Sequence, residues 1–214
     1  MTKRFFDLFV SIVVLIFCLP IIFIILCLSV IFTGESPLIF QERKIAMEKK
    51  SVRIIKIRTI KTKVPDSFSP DKIFIKNELR DFVPVFCRWL RKSGLDEILQ
   101  LVNVIKGEMS LIGPRPLMES DLHFMKKYEP DYFLRRSKIK SKPGISGYWQ
   151  IYGDREKGTR NLVELDEFYE KNKSISLDLH IIVKTFYILL TATHSDAIIN
   201  TTSDTKLYPH PIYE

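Results

Sequence analysis

The sequence predicts an α+β chain, mostly helical with short strands, behind an N-terminal re-entrant membrane helix hairpin. Three observations predict it. Leu8–Gly34 is an uncharged, largely apolar run of 27 residues with a proline near its middle. Two extended pieces with strand-like composition, Pro37–Phe40 and Val52–Arg58, follow it. Beyond them, apolar positions recur at helical spacing as far as Leu190. The 214 residues suffice for one domain with its own core behind an anchor. The expected division is an anchor over 1–34, a globular domain over 35–194 and a polar tail over 195–214.

The anchor comes first. As a straight helix, Leu8–Gly34 would be about 40 Å long, enough to cross a bilayer. The apolar run is too long for the core of a cleaved signal peptide, and no small-residue cleavage site follows it. Pro20 removes a backbone donor and crowds the preceding turn, so a membrane kink is expected there. Each arm is then about 18–20 Å, the depth of one leaflet. Lys3 and Arg4 precede the run and a basic block follows it, so positive charge at both ends favours both ends staying inside. Proline is also tolerated in spanning helices, so composition alone leaves a span open.

In the globular part, Lys61–Lys72 is polar with Pro65 and Pro70 and reads as a loop. Phe82, Val83, Phe86, Trp89 and Leu90 have the spacing of a helix packed on a core. Ser93 followed by Asp96 resembles a helix-capping pattern, and an apolar helix to Lys106 ends at Gly107. Met109–Pro116 is apolar and turns at Gly113-Pro-Arg-Pro116. Asp121–Lys138 is expected as one charged helix, Lys142–Gly147 as a turn-rich loop, and Asn161–Lys173 and Leu177–Leu190 as helices.

The net charge of +8 is concentrated. Between Glu35 and Lys63, nine basic residues, Arg43 and Lys56 among them, face three acidic ones, leaving +6 directly after the anchor. Such a block favours anionic lipid headgroups or phosphate substrates. A solvated surface is the plain alternative, and a nucleic-acid partner is disfavoured because the block adjoins an apolar anchor. Three cysteines without a C-x-x-C pair suggest neither a disulfide nor a zinc site, and the four histidines are scattered.

Asp96-Glu97 is the first candidate for chemistry. Two acids at a helix start also simply favour the helix dipole. Their company points further: Arg91 five residues earlier, Arg115 between Pro114 and Pro116, and Arg155 after a glycine-containing loop. Rigidly placed arginines suit a bidentate grip on phosphate oxygens. A carboxylate pair among them suits phosphoryl chemistry with a divalent metal. No Walker-type phosphate loop, serine elbow or H-E-x-x-H zinc motif is present.

From about Lys3 to Leu190 the chain resembles the bacterial sugar transferases, the monotopic phosphoglycosyl transferases. The resemblance lies in KRFFD (Lys3–Asp7), the apolar segment with Pro20, FQERK (Phe40–Lys44) and IIKIRTI (Ile54–Ile60). It continues through RKSGLDEILQLVNVIKGEMSLIGPRPL (Arg91–Leu117), SKPGISGYWQIYG (Ser141–Gly153) and ELDEFYEKNKSISLDLHII (Glu164–Ile182). It implies a small catalytic domain on a re-entrant helix, monotopic at the cytoplasmic face of the bacterial inner membrane. It implies Asp96 as a nucleophile carrying a covalent phospho-sugar, and Glu97 as its partner in holding Mg2+ or managing protons. Arg91 and Arg115 would bind substrate phosphate, with Arg155 as a third candidate, and Pro114 and Pro116 would shape the loop. The implied substrates are a UDP-sugar and polyprenyl (undecaprenyl) phosphate, with UMP released at the first membrane step of glycoconjugate or polysaccharide synthesis. Later glycosyltransferases are candidate partners, and a homo-oligomer is left open.

Three positions depart from the family pattern. Leu19 replaces the serine common before the membrane proline, Arg43-Lys-Ile lacks the usual glycine, and Asp154 precedes Arg155 where the family has Asn-Gly-Arg. The competing readings are a catalytically silent membrane scaffold, which does not need Arg91, Asp96, Glu97 and Arg115 together, and a basic tethered binder of nucleic acid or acidic lipid.

Overall fold

The computed structural model describes residues 2–61, 83–154 and 157–191. The architecture is mostly helical with two small two-stranded sheets, as the sequence predicts. The expectations for Lys61–Lys72 beyond Lys61, for Phe82, for Arg155 and for the tail after His194 fall outside the described residues.

Helix α1 (Thr2–Thr33) runs as one element through Pro20. This differs in form from a hairpin of two separate arms. The proline deletes one backbone bond, and the bonds on either side keep the helix continuous. The buried residues Asp7, Ser11, Ile22, Ile25, Ser29 and Thr33 lie three, four or eleven positions apart, so they form one stripe along the whole helix. Phe6, Val10, Leu15 and Leu26 pack beside that stripe, and the face away from it is apolar and exposed, with Phe17 81% and Ile31 71% exposed. Length and composition suffice for α1 to cross a bilayer.

Polar bonds fasten both ends of that stripe to the same globular body. Arg4 donates to the carbonyls of Val104 and Ile105 at 2.6 and 3.0 Å. Ser110 donates to Asp7 at 2.6 Å, and Lys3 pairs with Asp178. Near the other end, Ser29 donates to the carbonyl of Arg58 at 2.6 Å, and Ile25 packs with Ile57 and Leu90.

Strands β1 (Leu38–Arg43) and β2 (Val52–Ile57) form an antiparallel hairpin with Leu38 opposite Ile57 and Arg43 opposite Val52. Asn103 satisfies the outer edge of β2: its side chain accepts from Ile55 N–H and donates to the carbonyl of Arg53. Helix α2 (Val85–Ser93) stops at Gly94, whose φ of 76° is the left-handed conformation glycine tolerates.

The apolar helix expected before Gly107 begins as a 3-10 helix, Leu95–Gln100, and becomes α3 (Leu101–Lys106) only afterwards. The N-cap position is Gly94, and Ser93 sits one residue earlier: its hydroxyl donates back to the carbonyl of Leu90 at 2.9 Å and accepts from Leu95 N–H at 3.4 Å, while the first turn winds tightly with Glu97 N–H on the carbonyl of Gly94.

Strand β3 (Ser110–Ile112) pairs in parallel with β4 (Gly144–Ser146), inside the segment expected to be a loop. The glycines there serve close backbone approach as well as turning: a Cβ on Gly144 would lie 2.1 Å from the nitrogen of Gly113. Glu129-Pro130 splits the expected single helix into α4 (Glu119–Tyr128) and α5 (Pro130–Ser137), with the proline at the first position of α5. Helices α6 (Tyr148–Tyr152), α7 (Gly158–Asn172) and α8 (Ile175–Thr191) are the last elements among the described residues. The main core gathers Val52, Ile54, Leu101, Val104, Met109 and Tyr169, between the hairpin, α3, β3 and α7.

Candidate active site

A small open cleft lies between the β hairpin, the 3-10 helix and the loop after β3. Its polar lining is Arg43, Lys56, Glu97, Gln100, Arg115 and Gln150. Three cations against one carboxylate leave the cleft a net +2, the sign that attracts an anionic ligand.

On the first wall, both oxygens of Glu97 are engaged. Lys56 pairs with Oε1, and Gln100 donates to Oε2 at 3.0 Å. Lys56 reaches the cleft because of strand parity: Val52, Ile54 and Lys56 share one face of β2, and Arg43, opposite Val52, shares it too. Asp96 stands one position before Glu97, 7% exposed and beside the cleft rather than among its lining residues. Successive side chains on a 3-10 helix diverge by about 120°, so the two carboxylates cannot share one direction.

On the opposite wall, Arg115 projects from the Pro-Arg-Pro turn, its guanidinium 5.1 Å from the centre of the Trp149 ring. That is a cation–π contact and fixes the plane of the side chain. Pro116 lines the cleft, while Pro114 is buried and accepts a hydrogen bond from Gly144 N–H at 3.0 Å.

Arg91 does not line the cleft. It leaves the last turn of α2 and donates to Thr59 Oγ1 at 2.9 Å. Arg91 and Asp96 both lie within electrostatic reach of Cys87. Burial pushes that thiol up to about 11, partly offset by Arg91 and reinforced by Asp96, so Cys87 is a protonated core residue at neutral pH and no rival nucleophile.

The structure thus brings Glu97 and Arg115 together, sets Asp96 beside them and Arg91 apart, and Arg155 lies outside the described residues. Sequence reasoning missed Lys56, Gln100, Gln150 and the placement of Arg43. Arg43 and Lys56 were visible only as members of the basic block, since their shared face depends on a hairpin register that composition does not reveal.

Among the described residues no cluster of three or more His, Cys, Asp or Glu forms a metal cage. A cage is not needed for Mg2+, which binds through one or two carboxylates and completes its shell with water and substrate phosphates. Glu97, a hard oxygen donor that lines the cationic cleft, fits that requirement as a single carboxylate, while Asp96 diverges from it.

Residues 1–192 match the family described as bacterial sugar transferase. The chain belongs to that family. Among its sugar transferase relatives, the exopolysaccharide production protein ExoY of Rhizobium meliloti is 32% identical over 86% of this chain and 84% of its own length. The UDP-glucose:undecaprenyl-phosphate glucose-1-phosphate transferase of Klebsiella pneumoniae is 34% identical over 86% of this chain. The undecaprenyl-phosphate galactose phosphotransferase of Salmonella typhimurium is 31% identical over 88% of it. The matched regions are 39% and 40% of those last two proteins, so this sugar transferase corresponds to less than half of each.

Proposed function

We propose that this chain transfers a phospho-sugar from a UDP-sugar to undecaprenyl phosphate in two steps, through a covalent intermediate on Asp96. The observation that supports it most is a cleft lined together by Glu97, Arg43, Lys56 and Arg115, with Asp96 next to Glu97 in the chain. Relatives named for UDP-glucose and undecaprenyl phosphate supply the substrate class.

In the first step an Asp96 carboxylate oxygen attacks the sugar-linked phosphorus of the UDP-sugar. The bond to the bridging oxygen breaks and UMP leaves with that electron pair. In the second, a phosphate oxygen of the lipid attacks the same phosphorus and releases the Asp96 carboxylate, leaving a lipid diphosphosugar. Arg115 and Arg43 grip the diphosphate and offset its charge. Lys56 moves from Glu97 to a phosphate oxygen as the ligand arrives, which frees Glu97 to accept a proton or to help hold the metal. The low exposure of Asp96 keeps water from the acyl phosphate. Glu97 would hold Mg2+ at the edge of the cleft, where the ion would supply Lewis-acid neutralisation of the phosphate oxygens, leaving Asp96 as the nucleophile.

Residues 1–34 act as the membrane anchor of a catalytic domain over 35–194, with 195–214 as a polar tail. The anchor is monotopic at the cytoplasmic face. Fastening of both ends of α1 to one globular body supports that topology, because a span would carry one end to the far side. The exposed apolar residues of α8, such as Val183, Phe186 and Leu190, extend the surface available to lipid.

The test is purified protein with Mg2+, undecaprenyl phosphate and a panel of UDP-sugars, read as UMP release. Release with one sugar, and mass spectrometry showing a phospho-sugar on Asp96 when lipid is withheld, supports the mechanism. Absence of release with every sugar, from folded membrane-bound protein, defeats it.

A further inference from the structure

The helices α5 and α7 contribute a buried ion pair that the reaction as proposed does not use. Arg136 and Asp166 are 0% exposed, with Nη1 donating to Oδ2 at 2.8 Å. The partners of this pair lie in the Arg115 turn. Pro114 and Pro116 have no N–H, so between Gly113 and Leu117 only Arg115 has a backbone donor. Gly113 N–H goes to the carbonyl of Ser146 at 3.0 Å and Leu117 N–H to the carbonyl of Lys44 at 2.8 Å. The remaining donor, Arg115 N–H, points at both oxygens of Asp166, at 3.3 and 3.4 Å. The carbonyl of Arg115 accepts from Arg136 Nη2. Both backbone polar atoms of the cleft arginine therefore end on one buried pair.

Arg136 makes a further bond. Its Nε donates to the carbonyl of Ile45 at 2.7 Å, two residues beyond Arg43. One guanidinium thus bonds to both segments that bear the cleft cations Arg115 and Arg43, reinforcing the reciprocal Lys44–Leu117 backbone pair that joins the same two segments. Two leucines or methionines of similar volume could fill the same space with little loss of packing. They could not hold an N–H and a carbonyl at once.

We propose that Arg136 and Asp166 are positioning residues, which set the direction of Arg115 and its spacing from Arg43 for a diphosphate grip. This rests on the reading of the cleft as a nucleotide-sugar site. Its signature is dependence on Arg115: misplacing a gripping arginine matters only while that arginine is present.

The experiment is a double-mutant cycle on the full chain in lipid nanodiscs, read both as UMP release and as UDP affinity by titration. Asp166→Asn is expected to lower kcat/KM by about 100-fold, the scale of an ångström of misplacement. In an Arg115→Ala background the same change should cost less than about 3-fold. The paired change Asp166→Leu with Arg136→Met keeps the core filled should Asp166→Asn fold poorly, and it should melt near wild type yet show the same loss. Equal losses with and without Arg115 would mean a merely structural pair and overturn the proposal, as would wild-type turnover in the stable Leu/Met variant. If wild type binds UDP with this Arg115-dependent pattern but releases no UMP, the transfer reading falls and the positioning role stands. If it neither binds UDP nor turns over, both fall.

Discussion

The two walls of the cleft are built on different principles. On the hairpin wall, Glu97, Lys56 and Gln100 hold one another by side-chain contacts at the tips of flexible groups. On the other wall, Arg115 rises from a turn whose backbone is bonded on each side and enclosed by prolines. Contacts between side-chain tips can be exchanged for contacts with a ligand at small cost, whereas a pinned backbone cannot relax. The first wall suits groups that must change partner during a reaction. The second suits a fixed cationic template, present before the ligand arrives.

The sharpest test of this division is Asp96→Asn, next to the exchangeable wall. It preserves shape and replaces the nucleophilic carboxylate with a neutral amide, so UMP release should fall by about 10⁴-fold or more, with the melting temperature little changed. Turnover near wild type would remove Asp96 as the nucleophile and leave the first wall without a chemical role. Arg115→Ala should come next, with kcat/KM down by about 10²–10³-fold, the usual loss for one donor to transition-state charge. Lys56→Met, on the exchangeable wall, should lose about 10-fold in the same UMP assay, because Gln100 still holds Glu97. A larger loss at Lys56 than at Arg115 would reverse the comparison.

The walls also differ in how far the sequence revealed them. The Pro-Arg-Pro turn was legible because proline announces its own backbone restriction. Asp96-Glu97 was legible as a pair, but their divergence on a 3-10 turn was not. It depends on the tight winding of the turn after Gly94 and on Ser93 bonding backward to Leu90; the glycine announces the break before it, but neither the 3-10 winding nor the backward bond has a local sequence signature. Lys56 and Arg43 face the cleft through the register of the hairpin, a property of two segments together. Helix α1, the hairpin strands and the long helices follow period and composition, and the helix breaks at Glu129-Pro130 and Gly107 follow proline and glycine. The parallel pair β3–β4 did not, because three residues per strand are too few to show a period.

That short sheet gives the comparison a structural counterpart. It supports the fixed wall, since Gly113 N–H binds Ser146 and Gly144 N–H binds Pro114. Gly144→Ala would place a methyl carbon 2.1 Å from the Gly113 nitrogen, where backbone must move. The expected cost is about 3 kcal/mol, seen as a lowered midpoint in chemical denaturation, with activity falling through Arg115. An unchanged midpoint would mean that the two backbones have room to separate and that the wall is less rigid than its bonds suggest.

The smallest effect concerns the neighbours of the buried pair. Arg135 and Glu167 adjoin Arg136 and Asp166 in sequence and also pair, through two bonds of 3.0 and 2.7 Å, but at the surface. Hydrogen bonding to Arg135 holds the Glu167 carboxyl below its ordinary range. A lowered carboxyl contributes stability above its unfolded pKa and loses it as pH falls through the folded one. Arg135 is 38% exposed, so solvent screening limits the pair to about 0.5 kcal/mol. Glu167→Gln should therefore lower the melting temperature by about 1–2 °C at pH 7, and the difference from wild type should shrink as pH falls through the lowered folded pKa of Glu167. Asp166→Asn, one residue away, leaves the buried Arg136 charge without its partner and should cost about 3–5 kcal/mol at pH 7. Two adjacent Arg–carboxylate pairs then differ several-fold in cost through burial alone. Equal costs for the two variants would mean that the interior of the α5–α7 contact is wet, and that Arg115 is held less firmly than its bonding pattern indicates.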